Sequence, residues 1–328
     1  MDKILAIFIP FVFSFFSFPL AQWAGYRYEL IDYPSVRKIH TSPTLKVGGM
    51  IILTGYILGV VILKTLWWQI GLCLILIFIT GILGDKDILG PKKRLVLQSV
   101  LALLFIIFTD ASVSDLRLFQ LPSYLQIPFT VLGIVGITNA YNIIDGMNGL
   151  CSSLGIIALM TIGILGGLYD NNYILMHTLI FSSSVGAFLI FNLKGKTFMG
   201  DAGSYMIGFM VGSLSVVVAN KVPHVSPYAF FLNSLIPIFD TIFAIYRRKR
   251  LSRDPFKADK RHLHHMLSRR YKSNKRSLIV LTLTQIILSS LAVLFHKSTP
   301  LLIIFILIAT LFLRRLWFKR IKILGIVL

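Results

Sequence analysis

NAYNIIDGMNGL, residues Asn139 to Leu150, joins two long apolar segments of the chain. Polar side chains at the mouth of apolar segments are costly unless they serve a site. Asn139, Asn142, Asp145 and Asn148 recur at every third position, so a helix would present them as one polar stripe. The alternative is a helix-capping and turn cluster, which Asn and Gly favour. Capping uses only one or two such residues, so the stretch is predicted to be the centre of a polar site.

The composition predicts an integral membrane protein. The chain has 328 residues, of which 56% are hydrophobic, and its mean hydropathy of +0.80 is too high for a soluble domain. The apolar runs are continuous and do not alternate with a period of two, which favours helices over a closed barrel. The first run, from Ile4, lacks a convincing cleavage site, so we expect it to remain as a helix. Cys73 and Cys151 are expected to be core residues without a disulfide.

Eleven apolar segments are candidate membrane spans, and nothing between them is large enough to be a soluble domain. We therefore predict one all-α membrane domain over residues 1–328. Its spans are predicted at 4–24, 48–64, 67–84, 95–109, 122–140, 149–168, 173–191, 203–219, 227–245, 278–295 and 299–313.

The distribution of basic residues predicts the orientation. Loops after odd-numbered spans, together with the C-terminal tail, carry 28 of the 33 Lys and Arg residues. By the positive-inside rule this face is cytoplasmic, which puts the N-terminus outside and the C-terminus in the cytoplasm. The same bias explains the net charge of +20, which in a soluble protein would indicate nucleic acid as the partner.

Two further motifs place acids on the cytoplasmic side. FMGDAGSYMIGF, Phe198 to Phe209, surrounds Asp201 with small residues that let a ligand approach, although a helix N-cap explains an Asp there equally well. GDKDILGPKKRLVLQ, Gly84 to Gln98, offers Asp85 and Asp87 before a basic cluster. A turn with a positive-inside anchor also explains that second pattern.

Another two motifs supply cations. DKRHLHHML, Asp259 to Leu267, contains three His within the most basic loop. His-rich tracts can bind metals, but a zinc site needs Cys or carboxylate ligands and the neighbours here are mostly Arg and Lys, which favours an anion such as phosphate. LIDYPSVRKIHTSPTLKVGG, Leu30 to Gly49, adds Arg37 and Lys38 on a Pro-broken loop.

Together the motifs predict a membrane phosphotransfer enzyme. Oxygen ligands on Asn and Asp suit Mg²⁺, a hard cation that also binds substrate phosphates. Such a site at the lipid boundary would join a nucleotide-activated group to a lipid phosphate. The active site is predicted to be built from the cytoplasmic segments 25–47, 85–94, 139–150, 192–204 and 246–277.

The motifs resemble those of the polyprenyl-phosphate N-acetylhexosamine-1-phosphate transferase family, glycosyltransferase family 4. The resemblance covers most of the chain and includes PIFDT at Pro237–Thr241. The HLHH form is most similar to the WecA-like branch of bacterial undecaprenyl-phosphate GlcNAc-1-phosphate transferases. It implies an eleven-helix fold in the bacterial inner membrane. It also implies transfer of sugar-1-phosphate from a UDP-N-acetylhexosamine to undecaprenyl phosphate, with release of UMP, at the start of a cell-surface polysaccharide such as lipopolysaccharide O-antigen.

The resemblance also implies residue roles. Asn142 and Asp201 would be ligands of Mg²⁺, for which Mn²⁺ could substitute. Asp85 falls in the family's acidic pair, and Asp85 and Asp145 are the expected catalytic residues. Homodimers are common in the family. Substrate binding is implied for one aromatic residue that packs on uracil and for a set of polar residues, namely Phe198, Asn148, His262, His264, His265, Arg37 and Lys38.

Two positions depart from the family pattern. The acidic pair is usually Asp-Asp, whereas here Gly84 precedes Asp85 and Asp87 follows two residues later. The last acid of the central motif is often Asp, whereas here it is Asn148, which can donate and accept hydrogen bonds but cannot act as a base.

Three alternatives stay open from the sequence. A transporter would place polar groups at mid-bilayer, whereas here they cluster at one rim. A nucleic-acid-binding membrane protein is suggested only by the basic loop at 246–277, which lacks interleaved aromatic residues. Within the enzyme class, the muramoyl-pentapeptide branch or another UDP-sugar is the alternative.

Overall fold

A computed structural model describes residues 2–34, 42–250 and 262–318 of the chain, and these are almost entirely helical. The predicted substrate-binding residues Arg37 and Lys38 lie outside the described residues. A two-residue antiparallel pair, β1 (Ile31–Asp32) and β2 (Thr44–Leu45), flanks that gap. The helices are α1 (Asp2–Phe16), α2 (Phe18–Arg27), α3 (Gly48–Ile62), α4 (Trp68–Asp85), α5 (Pro91–Thr109), α6 (Ser123–Ile144), α7 (Leu150–Gly167), α8 (Asn172–Leu193), α9 (Gly200–Lys221), α10 (Pro227–Asn233), α11 (Leu235–Arg250), α12 (Leu263–Tyr271), α13 (Asn274–Leu294) and α14 (Thr299–Phe318).

The predicted class, an all-α multi-pass membrane protein, is confirmed. Within the described residues, seven helices are long and apolar enough to cross a membrane, and the number is nine if each bent helix pair is one span. Each of the eleven predicted segments coincides with a helix or a bent pair. Helix α3 is shorter than the others, and α5 begins with a charged turn, so the count of eleven and the orientation stay predictions.

Two of the predicted continuous spans are bent. Helices α1 and α2 meet at an angle of 42°, and α10 and α11 meet at 73° around Ser234. Next to the second bend, the Asn233 side chain donates to the Ala158 carbonyl at 3.0 Å and accepts from Ser289 at 2.7 Å. Side chains from neighbouring helices thus bond the polar groups at this break, as irregular backbone within a membrane requires.

Helix α9 is the centre of the bundle and carries Asp201 in its first turn. Nearly all of its side chains are buried, and it packs against α3, α4, α6 and α7. Glycines let two of these helices approach its first turn. A Cβ built on Gly49 would lie 2.8 Å from Ala202 Cβ, and one built on Gly81 would overlap the Ala202 backbone. Because of this close contact, the C-terminal end of α4 and the N-terminal end of α9 lie side by side.

Gly81→Leu is expected to destabilise the protein by about 1–3 kcal/mol, because the new side chain would force α4 away from α9. The measurement is thermal unfolding of the purified protein in detergent, followed by tryptophan fluorescence. Gly71→Leu is the matched control, since no atom lies within 4 Å of a Cβ built at Gly71 on the same helix. Equal melting temperatures for the two variants would contradict this account of the packing.

Candidate active site

One large cavity lies at the ends of α4, α6, α8 and α9, where most of the polar motifs meet. Its volume is about 1040 Å³, at the upper end of the range for ligand sites. Most predicted site residues line it, together with residues that the sequence did not indicate. The lining includes Asp32, Lys46, Asp85, Asn142, Asp145, Asn148, Asn192, Phe198, Asp201, His264, His265, Ser268, Asn274 and Lys275.

Asp85 caps a helix that is distant in sequence. Its carboxylate accepts hydrogen bonds from the backbone N–H groups of Asp201, at 3.1 Å, and Ala202, at 3.3 Å. These are two of the unpaired donors in the first turn of α9, where a negative charge is favourable. The alternative that Asp201 itself is the N-cap is wrong, because α9 begins at Gly200 and Asp201 makes no capping bond. Asp87 is exposed on a turn beyond α4 and does not line the cavity.

Asp201 meets the central motif directly. Its Oδ1 accepts a hydrogen bond from Asn142 Nδ2 at 2.9 Å, and its Oδ2 forms an ion pair with Arg94. The Asn142 amide also donates to Ser204 Oγ at 2.9 Å. The two residues expected to share a cation are therefore in direct contact, although they are 59 positions apart in the sequence.

The predicted stripe of four polar residues does not form. Helix α6 ends at Ile144, so only Asn139 and Asn142 lie on it, and Asp145 and Asn148 lie on the following turn. Asn139 is not in the cavity lining, because its amide donates to Gln98 Oε1 at 2.5 Å. Asp145 and Asn148 reach the cavity on the turn that follows α6 and not on the helix itself. Their spacing of three residues therefore does not indicate a common helix face.

Asp145 lines the cavity and is half-buried. Burial, together with the nearby Asp201 and Asp85 carboxylates, raises the pKa of Asp145 to about 7. A carboxyl group with that pKa exchanges a proton near neutral pH, as a general base requires.

Lys46 is a site residue that the sequence analysis missed. Its Nζ lies 3.3 Å from Asp32 Oδ1 and 3.7 Å from Asp85 Oδ1. Burial alone would lower the pKa of Lys46, but the two carboxylates outweigh it and the pKa is raised, so the ammonium stays charged. Lys46 lies just before the glycine pair Gly48-Gly49, which packs against α9. This position is the sequence signal that could have identified Lys46 as a site residue.

The three His of the HLHH motif occupy different environments. His262 does not line the cavity, and its Nδ1 lies 2.9 Å from Asp240 Oδ2. His264 is 1% exposed, and neither of its ring nitrogens has a hydrogen-bond partner among the residues that the structure describes. Burial and then the adjacent His265 lower the pKa of His264 to about 3, so its imidazole is neutral. His264 and His265 line the cavity, and the predicted contact of His262 with phosphate stays a prediction.

The first turns of α13 also line the cavity, which the sequence did not indicate. Asn274 and Lys275 contribute polar groups, and Leu278 and Ile279 contribute an apolar edge. On the other side, Asn192 joins two turns, because it accepts from Gly149 N at 2.6 Å and its amide donates to Thr197 O at 2.9 Å.

Comparison with known proteins identifies the family. The profile of glycosyl transferase family 4 matches residues 67–219. The chain is 32% identical to a probable undecaprenyl-phosphate N-acetylglucosaminyl 1-phosphate transferase of Bacillus subtilis, over 94% of this chain and 90% of the relative. It is 27% identical to the undecaprenyl-phosphate alpha-N-acetylglucosaminyl 1-phosphate transferase of Escherichia coli K12, over 90% of this chain and 84% of the relative.

The chain belongs to glycosyl transferase family 4.

Membership of this family confirms the predicted resemblance and the prediction of a membrane transferase. It excludes the transporter and the nucleic-acid-binding protein as alternatives.

The donor atoms at this family-4 site fit a hard cation. Among the described residues, no three Asp, Glu, His or Cys side chains converge as a complete metal cluster. The Asp201 carboxylate and the Asn142 amide meet at the cavity wall, each side chain carries an oxygen that a cation could use, and Asp145 lines the same cavity. A cation held by so few protein ligands must complete its coordination shell with water and substrate phosphates, as Mg²⁺ usually does in proteins.

Asp145→Asn is expected to raise the melting temperature at pH 8 and to change it little at pH 4. The folded-state pKa of about 7 lies above the ordinary value of 3.8, so ionisation of Asp145 destabilises the folded protein as pH rises between these values. The measurement is thermal unfolding in detergent at several pH values. Asp87→Asn, on an exposed turn, is the control. A stability difference that is the same at both pH values would contradict the raised pKa.

Proposed function

We propose that this family-4 protein transfers N-acetylhexosamine-1-phosphate, with GlcNAc-1-phosphate as the preferred group, from a UDP-sugar to undecaprenyl phosphate. UMP is released, and the lipid-linked product starts a cell-surface polysaccharide. The reaction takes place at the cytoplasmic face of the bacterial inner membrane. The observation that carries the proposal is the direct contact of Asp201 and Asn142 in a large cavity at the helix ends. The names of the relatives favour GlcNAc over a muramoyl-pentapeptide group.

The central difficulty of this reaction is that both substrates are anions. Two unit charges 4 Å apart repel by about 1 kcal/mol in water and by about 4 kcal/mol at an effective dielectric constant of 20. The cavity lining supplies cations and hydrogen-bond donors against this repulsion. Lys46 and Lys275 bring positive charge, and His264 offers an uncharged ring that can donate one hydrogen bond.

Asp201 and Asn142 would hold a Mg²⁺ ion. When bound, the ion supplies positive charge that neutralises the pyrophosphate and the departing UMP. Lys46 supports this arrangement because it balances Asp85, whose carboxylate holds the first turn of α9 and therefore Asp201.

The transfer is a single displacement at the β-phosphorus of the UDP-sugar. An oxygen of the lipid phosphate forms the new P–O bond, and the bond to the oxygen of UMP breaks, so UMP leaves with the electron pair. The second pKa of a phosphate monoester is about 6, so most of the lipid phosphate needs no base at neutral pH. Asp145 is suited to accept the proton from the remaining monoanion.

Asp85 is proposed to orient the site and not to act as a nucleophile. Its carboxylate already accepts two backbone N–H groups and faces Lys46. A nucleophilic carboxylate would have to give up these bonds. Phe198 and Asn148 are proposed to bind the uridine, because both line the cavity and offer an aromatic ring and an amide to a uracil base. A homodimer stays a prediction.

Purified full-length protein is expected to release UMP from UDP-GlcNAc only when undecaprenyl phosphate is present. EDTA should stop the release and Mg²⁺ should restore it. The assay compares UDP-GlcNAc with UDP-GalNAc and UDP-MurNAc-pentapeptide. Asp201→Asn should lower the rate by at least about 100-fold, because charge stabilisation in the transition state is lost.

Asp87→Asn is the matched control, since Asp87 is an acid of the same motif that lies outside the cavity. Gel filtration and thermal unfolding show whether each variant is folded. Full turnover in Asp201→Asn would remove this residue from the proposed metal site. Absence of UMP release with every UDP-sugar would overturn the function itself.

The proposed topology has eleven spans with the N-terminus outside. Gln120, which follows α5, would then lie outside, and Lys194, which follows α8, would lie in the cytoplasm. A membrane-impermeant maleimide should label Gln120→Cys in intact cells and label Lys194→Cys only after permeabilisation. The native Cys73 and Cys151 are buried and give little background. The opposite labelling pattern would invert the topology and move the site to the outer face.

A further inference from the structure

Arg94 holds the carboxylate that is proposed to bind the metal. It lies in the first turns of α5, and its Nη1 is paired with Asp201 Oδ2. The other oxygen of Asp201 accepts the Asn142 amide. Both oxygens of this carboxylate therefore have protein donors, and a divalent ion that binds Oδ2 must share this oxygen with the guanidinium or displace it.

Gly84 makes this ion pair possible. A Cβ built on Gly84 would lie 3.0 Å from Arg94 Cδ, 3.0 Å from Arg94 Nη1 and 3.0 Å from Asp201 Oδ2. Any larger side chain at position 84 would compete with the guanidinium for the space beside Asp201.

The pair is partly shielded from water, and only one basic residue of the α5 cluster makes it. The side chains of Arg94 and Asp201 are 21% and 26% exposed, and within the described part of the chain Arg94 Nε is buried without a hydrogen-bond partner. Lys92 and Lys93 are exposed on the same turn. Arg94 therefore differs from Lys92 and Lys93, because it contacts a site residue in addition to contributing positive charge.

We propose that Arg94 is a competitor of the divalent ion, a counter-cation that occupies Asp201 and lowers the affinity of the site for the free metal. This inference rests on the proposed metal-binding role of Asp201. The physical basis is charge. A guanidinium on the same carboxylate offsets its negative charge, repels an incoming dication and occupies one of the lone pairs of Oδ2.

The test is equilibrium binding of Mn²⁺ to the purified full-length protein, followed by the electron paramagnetic resonance signal of the free ion. Arg94→Gln is expected to bind Mn²⁺ about two- to five-fold more tightly than the wild type, the factor that corresponds to losing one partly exposed ion pair. Arg94→Met removes the charge while keeping the bulk, and it should tighten binding in the same way. Arg94→Lys keeps the charge and should stay close to the wild type.

Lys92→Gln is the matched control, because it removes an equal charge from the same helix turn without touching Asp201. Asp201→Asn should lose the bound Mn²⁺ in every background. Both neutral variants, Arg94→Gln and Arg94→Met, are measured so that a folding defect in one of them does not decide the result. A dissociation constant for Arg94→Gln and Arg94→Met that equals or exceeds that of the wild type would overturn the competition. It would make Arg94 a residue that positions Asp201 for the ion. Failure of wild type and variants alike to bind Mn²⁺ would also overturn it.

The outcome is separable from that of the proposed reaction. UMP release by the wild type together with unchanged Mn²⁺ affinity in the neutral variants would refute only the competition. Tighter Mn²⁺ binding in those variants without UMP release from any UDP-sugar would refute only the reaction.

Discussion

The arrangement of the site depends on one carboxylate that caps a helix from outside it. Asp85, at the end of α4, accepts the first N–H groups of α9. Gly200 permits the contact, because its φ is +72° and a Cβ there would lie 2.6 Å from Asp85 Oδ2. The cap fixes the first turn of α9, and this turn carries Asp201. The acidic motif at the end of α4 is therefore necessary for the geometry of the second motif, even before any substrate binds.

The cavity concentrates charges that are expensive to bury, and their arrangement explains why the protein tolerates them. Asp85 and Asp32 share Lys46, and Asp201 has Arg94. Removing one member of such a pair leaves a buried charge without compensation, so each member of a pair depends on its partner. Burial, together with the nearby Asp201 and Asp85 carboxylates, raises the pKa of Asp145.

The sequence was sufficient to predict the helices and the meeting of the motifs, because long apolar runs and charge bias are local signals. Segments such as 149–168 and 203–219 coincide with α7 and α9. Tertiary contacts decide what the pattern leaves open. Helix α6 ends at Ile144, and Gly146, just after it, lies against the buried His264 ring. The polar residues with helical spacing are therefore divided between the end of α6 and the turn that follows it. Likewise, Arg94 faces inward and Lys92 is exposed, and no periodicity in the sequence distinguishes them. The difference comes from the space beside Gly84, which accommodates the Arg94 side chain.

The same device recurs at the second wall of the cavity. Asp240, on α11, accepts the backbone N–H of Leu263 at 2.7 Å, and its other oxygen meets His262 Nδ1 at 2.9 Å. Leu263 is the first residue of α12, so this helix too is capped by a carboxylate from a different helix. A helix N-terminus carries partial positive charge, and a buried carboxylate needs donors, so each satisfies the other. The His motif is therefore divided in function. His262 fixes the start of α12 on the membrane bundle, and the following turn carries His264 and His265 to the cavity across from Asp201.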